Sequence, residues 1–535
     1  MKHNFKKLLC TMLAFGMMLT IWPASVTEVR AAKKIPISSA QDFVNMESNP
    51  SGSYYLTKDI TLPKEMKTLF FDVAFTGTLD GRGHKIKGYT YSGSGSGNYW
   101  EPLSLIGAAK DATFKNLSLT GVNINVSAGE GDAVVSTLVY DARGCKFDKV
   151  KVSGQITIKG NCTAKSGAHY EVSGLSEGDY KDSFINCSSS LKIKVSAKMA
   201  NQLYISGLAG DAKNLKNCSF KGDITADVKA AYEWVETDHG VQSESGDFLA
   251  AGLCVSANEK VTGCTNSGNI KLNVNKGSID KAQGVAVIVA YGITGGEPES
   301  MTSCGNSGTI KVSAPKMKSA VKAYGLAQQV YKMKKCWNKG RISVTGGASV
   351  GAAGLSEGIS TAAECYNKGK VSATGTNTSQ SCQVCNVGFP YEGSLAGGLS
   401  MNTGWMNNCY NVGSVTVKGR GGAAGLSFAV GNFDKVSKCN YSIGTITAKN
   451  GDAAGLFYRV DTWEAIMHGK PIVYDSYYKG CKKGYCLGPS PENKGVPRVT
   501  KISSVTGRSC PKLSSRYWTY SSKYKRLVLK NNKEK

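Results

Sequence analysis

Histidine is scarce: five in 535 residues, with no His-Glu-x-x-His among them, which excludes a zincin-type metalloprotease. No phosphate loop and no Ser-His-Asp motif is present, and no nucleic-acid module is recognisable by motif. Long apolar runs are missing too. The longest, Leu8 to Trp22, is too short for a bilayer span. No Leu-Pro-x-Thr-Gly sorting signal or hydrophobic terminal anchor is found, so nothing supports covalent wall attachment. The repeats described next lack apolar residues at i, i+3, i+4 and i+7, and this excludes a helical solenoid.

What the chain has is a repeat. In Cys264-Thr-Asn266-Ser-Gly268-Asn-Ile270-Lys-Leu272-Asn-Val274 every second residue is apolar, small or an amide, the pattern of a strand with one buried face. The frame returns at Cys304-Asn306-Gly308, Cys336-Asn338-Gly340, Cys365-Asn367-Gly369 and Cys409-Asn411-Gly413. Looser copies begin at Cys145, Cys187 and Cys218, and a last one at Cys439 carries an extra residue before Gly444. A second beat, small-Gly-Leu, precedes the later cysteines by about ten residues, as at Gly325-Leu326 and Gly354-Leu355.

Short strands recurring with turn signals and no intervening helix predict an all-β parallel β-helix of about ten coils. Successive coils stack at about 4.8 Å, so equal positions form ladders. The cysteines are expected to point inward as small apolar residues. The asparagines are expected to bond their neighbours as turn amides. The glycine four places after each cysteine is expected to take the positive-φ corner. Variable spacing places loops of different length at one corner, where function would sit.

Residues 1–31 read as a secretory signal peptide: Lys2, Lys6 and Lys7, then the apolar run, then Val29-Arg30-Ala31 as a small-x-small cleavage site. Secretion is therefore expected, with no membrane span in the mature chain. Residues 32–74 are expected to hold a cap and first strands, including a short helix from Ser38-Ser39-Ala40-Gln41-Asp42 that shields the open end of the coil. The β-helix is then expected over 75–460, and a basic cap or tail over 461–535.

The run Phe75-Thr-Gly77-Thr-Leu79-Asp80-Gly81-Arg-Gly83-His84-Lys-Ile86-Lys-Gly88, followed by Leu105-Ile106-Gly107, resembles the opening of bacterial secreted proteins with GLUG-type repeats. The later Cys-x-Asn-x-Gly and Gly-Leu beats are similar to that family's coils. Over residues 35–460 the resemblance implies a right-handed β-helix outside the cell, adhesin-like, with no shared catalytic residues and no cofactor.

Candidate ligand-binding residues are aromatics in insertions: Tyr99 and Trp100, and Tyr232 and Trp234, which suit stacking on sugars or partner surfaces, or folding back onto the coil. The net charge of +26 points to polyanions such as an anionic polysaccharide, a cell-wall polymer or a host surface partner, or to a solubilising exterior. Nucleic acid is not expected. Because β-helices also host polysaccharide lyases and glycoside hydrolases, that alternative is weighed. It needs clustered carboxylates or a carboxylate pair, and the repeat positions carry Cys, Asn, Gly and Ile instead. Asp238-His239 stands alone in an insertion and reads as solvated loop, and Asp80-Gly81-x-Gly83-His84 reads as backbone-shaping turn. Cys187, Cys218, Cys264, Cys304, Cys336, Cys365, Cys409 and Cys439 are expected as mostly free ladder thiols. A loop disulfide is expected for Cys382 with Cys385, and another for Cys481 with Cys486 or Cys510.

Overall fold

The structure is a computed structural model, and it describes residues 34–93, 103–163, 167–231, 247–276, 287–317, 319–347, 349–376, 393–431, 435–461, 471–487, 496–503 and 513–534. The chain winds into a parallel β-helix. Forty-five strands join one continuous sheet, with parallel pairing from Ile35 with Tyr54 at one end to Tyr478 with Lys501 at the other. One coil consists of the strands Gly305–Asn306, Ile310–Ala314, Ala320–Tyr324 and Ala327–Lys334. Its alternation is visible in Ile310, Val312 and Ala314, which are buried, against exposed Lys311.

Register places equal positions of successive coils in columns. Partner to partner, one column reads Ile60, Ile86, Leu119, Val152, Ser189, Phe220, Asn266, Asn306, Asn338, Asn367, Asn411, Ser442 and Tyr478. Thirteen rungs at about 4.8 Å make a rod about 58 Å long. The five asparagines are fully buried. Each side-chain amide donates to the next asparagine's Oδ1 at 2.7–2.8 Å, from Asn266 through Asn306, Asn338 and Asn367 to Asn411. It also donates to the carbonyl of the glycine two residues on, as Asn338 does to Gly340 at 2.9 Å.

Several expectations are corrected. The glycine four places after each cysteine is not the positive-φ corner. That conformation falls on the residue before each cysteine, including Asn217, Gly263, Ser303, Lys335, Glu364 and Asn408. The glycine is required by close approach instead: a Cβ on Gly340 would overlap the Gly308 carbonyl oxygen one coil away. Cys439 is not a ladder rung. It occupies the positive-φ place, and Asn440 fills the rung, with its Oδ1 accepting from the Cys409 amide at 2.9 Å. This accounts for the apparent extra residue. Cys145 likewise stands one corner early, beside Asp182, and Val150 holds its rung. The other ladder thiols, Cys187 to Cys409, are buried and free, as expected. Cys481 and Cys486 are free as well, not paired with each other, and Cys382, Cys385 and Cys510 lie outside the described residues.

The solenoid also exceeds its expected bounds. Strands Lys34–Ile37 and Ser53–Leu56 already pair in the ladder, and Val473–Tyr474, Ser476–Tyr478, Lys483–Leu487 and Val499–Lys501 continue it past 460. At the start, the helix α1 (Ala40–Val44) is capped by Ser39, whose Oγ accepts from the Asp42 amide at 3.1 Å, while Asp42 accepts from Ser38. At the far end the chain turns back. Trp518–Ser521 and Arg526–Leu529 form an antiparallel hairpin laid on the rod's flank. It covers an outward aromatic strip, Trp337, Tyr366, Tyr410, Tyr441 and Tyr477, with Trp518, Leu527 and Leu529. Buried Glu534 ties it down, bonding Lys368 at 2.7 Å, Arg526 at 2.6 Å and the Tyr410 hydroxyl. The tail is a flank cover, not an end cap.

Removing one rung amide should be felt far beyond its volume. Asn338→Ala leaves the Asn306 amide, the Asn367 Oδ1 and the Gly340 carbonyl short of a partner, an expected loss of at least about 3 kcal/mol. Outward-facing Ser343→Ala should stay within about 0.5 kcal/mol. Denaturant midpoints of the two variants check this, and equal midpoints would refute the ladder's energetic role.

Candidate functional site: a cationic cleft at one corner

The corner that precedes the asparagine column turns through positive-φ residues from Arg82 onward. In the early coils these are Arg82, Asn116, Lys149 and Asn186, short or basic side chains that tolerate or stabilise the turn. Because the coils are in register, residues as far apart in sequence as Asp80 and Asn186 meet on one surface. They line an open cleft of about 630 Å³ with Arg82, Gly83, Asn116, Ser118, Lys149 and Lys151.

The carboxylates near this cleft are already engaged. Asp80 Oδ1 accepts from the Arg82 amide at 2.9 Å and the Asn116 side chain at 3.1 Å, and Lys115 lies 3.6 Å from its other oxygen. Burial works against its charge, yet these partners hold the Asp80 carboxyl below its usual range. Asp148 accepts from Asn186 at 3.1 Å, and Asn186 accepts from Asn217 at 3.2 Å. Arg82 stacks over the Tyr55 ring with its guanidinium carbon 3.5 Å from the centroid, which holds the fork in place while its edge faces solvent. Lys149 and Lys151 are exposed. The arrangement offers planar and point cations beside amides and a hydroxyl. That set suits an anionic group carried on a hydroxyl-rich ligand.

A second polar cluster lies on another face. His169, Glu171 and Tyr204 project from neighbouring coils, with His169 Nε2 3.6 Å from Glu171. Glu171 and Glu177 hydrogen-bond each other, and Ser173 donates to Glu177 at 2.7 Å. Burial, reinforced by the Glu171 charge, pushes Glu177 well above the ordinary carboxyl range. Burial and the Glu171 and Asp179 charges push Asp211 up to about 6. Glycosidase carboxyls stand about 5–10 Å apart to flank the scissile bond, whereas this hydrogen-bonded pair leaves no room for a sugar linkage between its members. Among the described residues no group of three His, Cys, Asp or Glu side chains is placed to hold a metal ion.

Of the sequence-predicted ligand residues, Tyr99, Trp100, Tyr232 and Trp234 all lie outside the described residues. The cleft residues were missed. Asp80 and Gly83 stand in a motif read as turn-shaping, and Gly83 does adopt φ +89°. The signal that would have found them is the alignment of Lys149 with the turn amides Asn116 and Asn186, and of Lys151 with Ser118 and Ser188, visible only once the coils are aligned. No helix among the described residues is long and apolar enough to cross a membrane.

The Glu177 shift has a definite sign. A carboxyl raised in the folded state contributes stability below its unfolded value, and that contribution is lost as pH rises through the folded value. Glu177 and Asp211 therefore weaken the fold as pH climbs from about 4 through 6 and beyond. Glu177→Gln, which imitates the protonated form, should raise the melting temperature at pH 8 and leave it nearly unchanged at pH 4.5. A lower melting temperature than native at pH 8 would contradict the shared-proton pair.

Comparisons of the chain with family models, with curated proteins and with solved structures find no match, so the functional reading starts from this geometry.

Proposed function

We propose that this is a secreted or surface-held β-helix protein, adhesin-like as its GLUG resemblance implies, that binds an anionic polysaccharide, cell-wall polymer or host surface partner without cleaving it. The observation that carries the reading is the corner cleft, where Arg82, Lys149 and Lys151 converge while the neighbouring acids are engaged within the protein. The net charge of +26 adds long-range attraction to polyanions. The basic tail contributes less than its composition suggests, because Arg526 is buried against Glu534; Lys523, Lys525, Lys530 and Lys533 remain exposed.

The triple variant Arg82→Gln/Lys149→Gln/Lys151→Gln should weaken binding to an acidic polysaccharide about tenfold at low salt. Binding of the native chain should fall steeply above about 0.3 M salt. Titration calorimetry with polygalacturonate checks both. Unchanged affinity in the triple variant, with loss on replacing Tyr99, Trp100, Tyr232 and Trp234 by alanine, would move the site to the inserted aromatics.

A further inference from the structure

The corner cleft is not uniformly basic. Asp80 lines it together with Arg82, Lys149 and Lys151, and its two oxygens differ. Oδ1 accepts from the Arg82 amide at 2.9 Å and from the Asn116 side chain at 3.1 Å, whereas Oδ2 faces the Lys115 ammonium 3.6 Å away. The side chain remains 21% exposed, so a ligand in the cleft can reach it. Although burial opposes its charge, the Arg82 amide, Asn116 and Lys115 keep the carboxyl below its usual range, and at neutral pH it is an anion. In register with Asp80 the next two rungs carry Lys115 and then Asp148, so charge alternates in sign along this edge of the cleft.

Arg82 is the opposite in kind. Its backbone sits in the left-handed region, at φ +48°, and its guanidinium lies 3.5 Å above the Tyr55 ring. Backbone and side chain are both held, and the fork keeps one orientation. A planar fork matches the two coplanar oxygens of a carboxylate.

We propose that the cleft selects a singly charged sugar acid, a uronate with free hydroxyls beside its carboxylate, over sulfated or phosphorylated polymers, with Arg82 taking the carboxylate and Asp80 accepting a neighbouring hydroxyl. The inference rests on the anionic-glycan reading above and adds the ligand's class and the residue that sets the choice. An ionised acid in a cationic cleft weakens the attraction for every anion. What it supplies in return is an acceptor for a hydroxyl donor. A densely charged polymer puts a second anionic group where the uronate has that hydroxyl, and Asp80 repels it. The cleft spans the four turns of Arg82, Asn116, Lys149 and Asn186, three coil steps or about 14 Å. Recognition is therefore local to a short stretch of glycan, with Lys149 and Lys151 available to the next acidic sugar.

The test uses the full chain and three tetrasaccharides: tetragalacturonate, a neutral galactose tetramer and a sulfated heparin tetramer, with Kd measured by titration calorimetry. The native chain should bind the uronate about tenfold more tightly than the heparin tetramer, although the latter carries more charge, and the neutral tetramer more weakly still. Asp80→Asn keeps an Oδ1 acceptor for the Arg82 amide and removes the negative charge. It should tighten heparin about tenfold without tightening the uronate. Arg82→Lys keeps the positive charge and removes the fork. It should weaken the uronate about tenfold and leave heparin within about twofold.

Heparin bound as tightly as the uronate by the native chain would overturn the selection and leave the anionic-glycan reading standing. An Asp80→Asn variant that retains the native preference would do the same, and if that variant does not fold, the native ratio and Arg82→Lys decide. Equal affinity for the neutral and uronate tetramers, or no binding of either acidic one, would overturn this inference and the reading beneath it together.

Discussion

A primary amide buried away from water is costly unless both its donor hydrogens and its acceptor are satisfied. In this rod five of them sit one above another, and each of the first four donates to the next asparagine's oxygen one coil away. The bonds have one register. A slip by one residue would turn Asn306 or Asn338 outward and bring lysines and serines into the core. The remaining features of the coil follow from holding that register at strand spacing. The glycines beside the asparagines leave room for the carbonyl of the previous coil, and the buried cysteines fill the inward place that Leu117 and Val150 hold in earlier coils. Burial pushes the Cys264 and Cys336 thiols well above the ordinary thiol range, which keeps them protonated and poorly nucleophilic.

The same constraint explains what could be read in advance. A column repeated in space is a motif repeated in sequence, so the Cys and Asn rungs, the inward Ile and Val and the Leu of the second beat were legible from spacing alone. Backbone conformation was less so. The positive-φ corner accepts Asn, Gly, Ser, Lys and Glu, a set too varied to mark itself, whereas the neighbouring glycine was conspicuous for a different reason, close approach. Cys439 shows how a conspicuous letter misleads. Asn440 takes the rung because an amide can accept the Cys409 backbone hydrogen, and the cysteine is displaced by one residue.

Contacts between remote segments left no local trace. The C-terminal hairpin meets rings from five different coils, and no spacing in residues 513–534 announces that partner. The outward aromatics that the hairpin covers, Trp337, Tyr366, Tyr410 and Tyr441, each follow a ladder cysteine or its substitute. Outward rings in register nonetheless expose a flat apolar strip, and such a strip needs a cover. The buried charges of Glu534 and Arg526 then serve to fix where the cover sits, since each is balanced only in that position.

The corner cleft belongs to the same class of features. Asp80 and Asn186 are joined by the geometry of stacked turns, and their cooperation is a property of the coil and of no single motif. A solenoid multiplies such sites, because whatever one coil offers at a corner is offered again about 4.8 Å further on. A ligand with its own repeat can therefore gain from each coil without any one contact being strong.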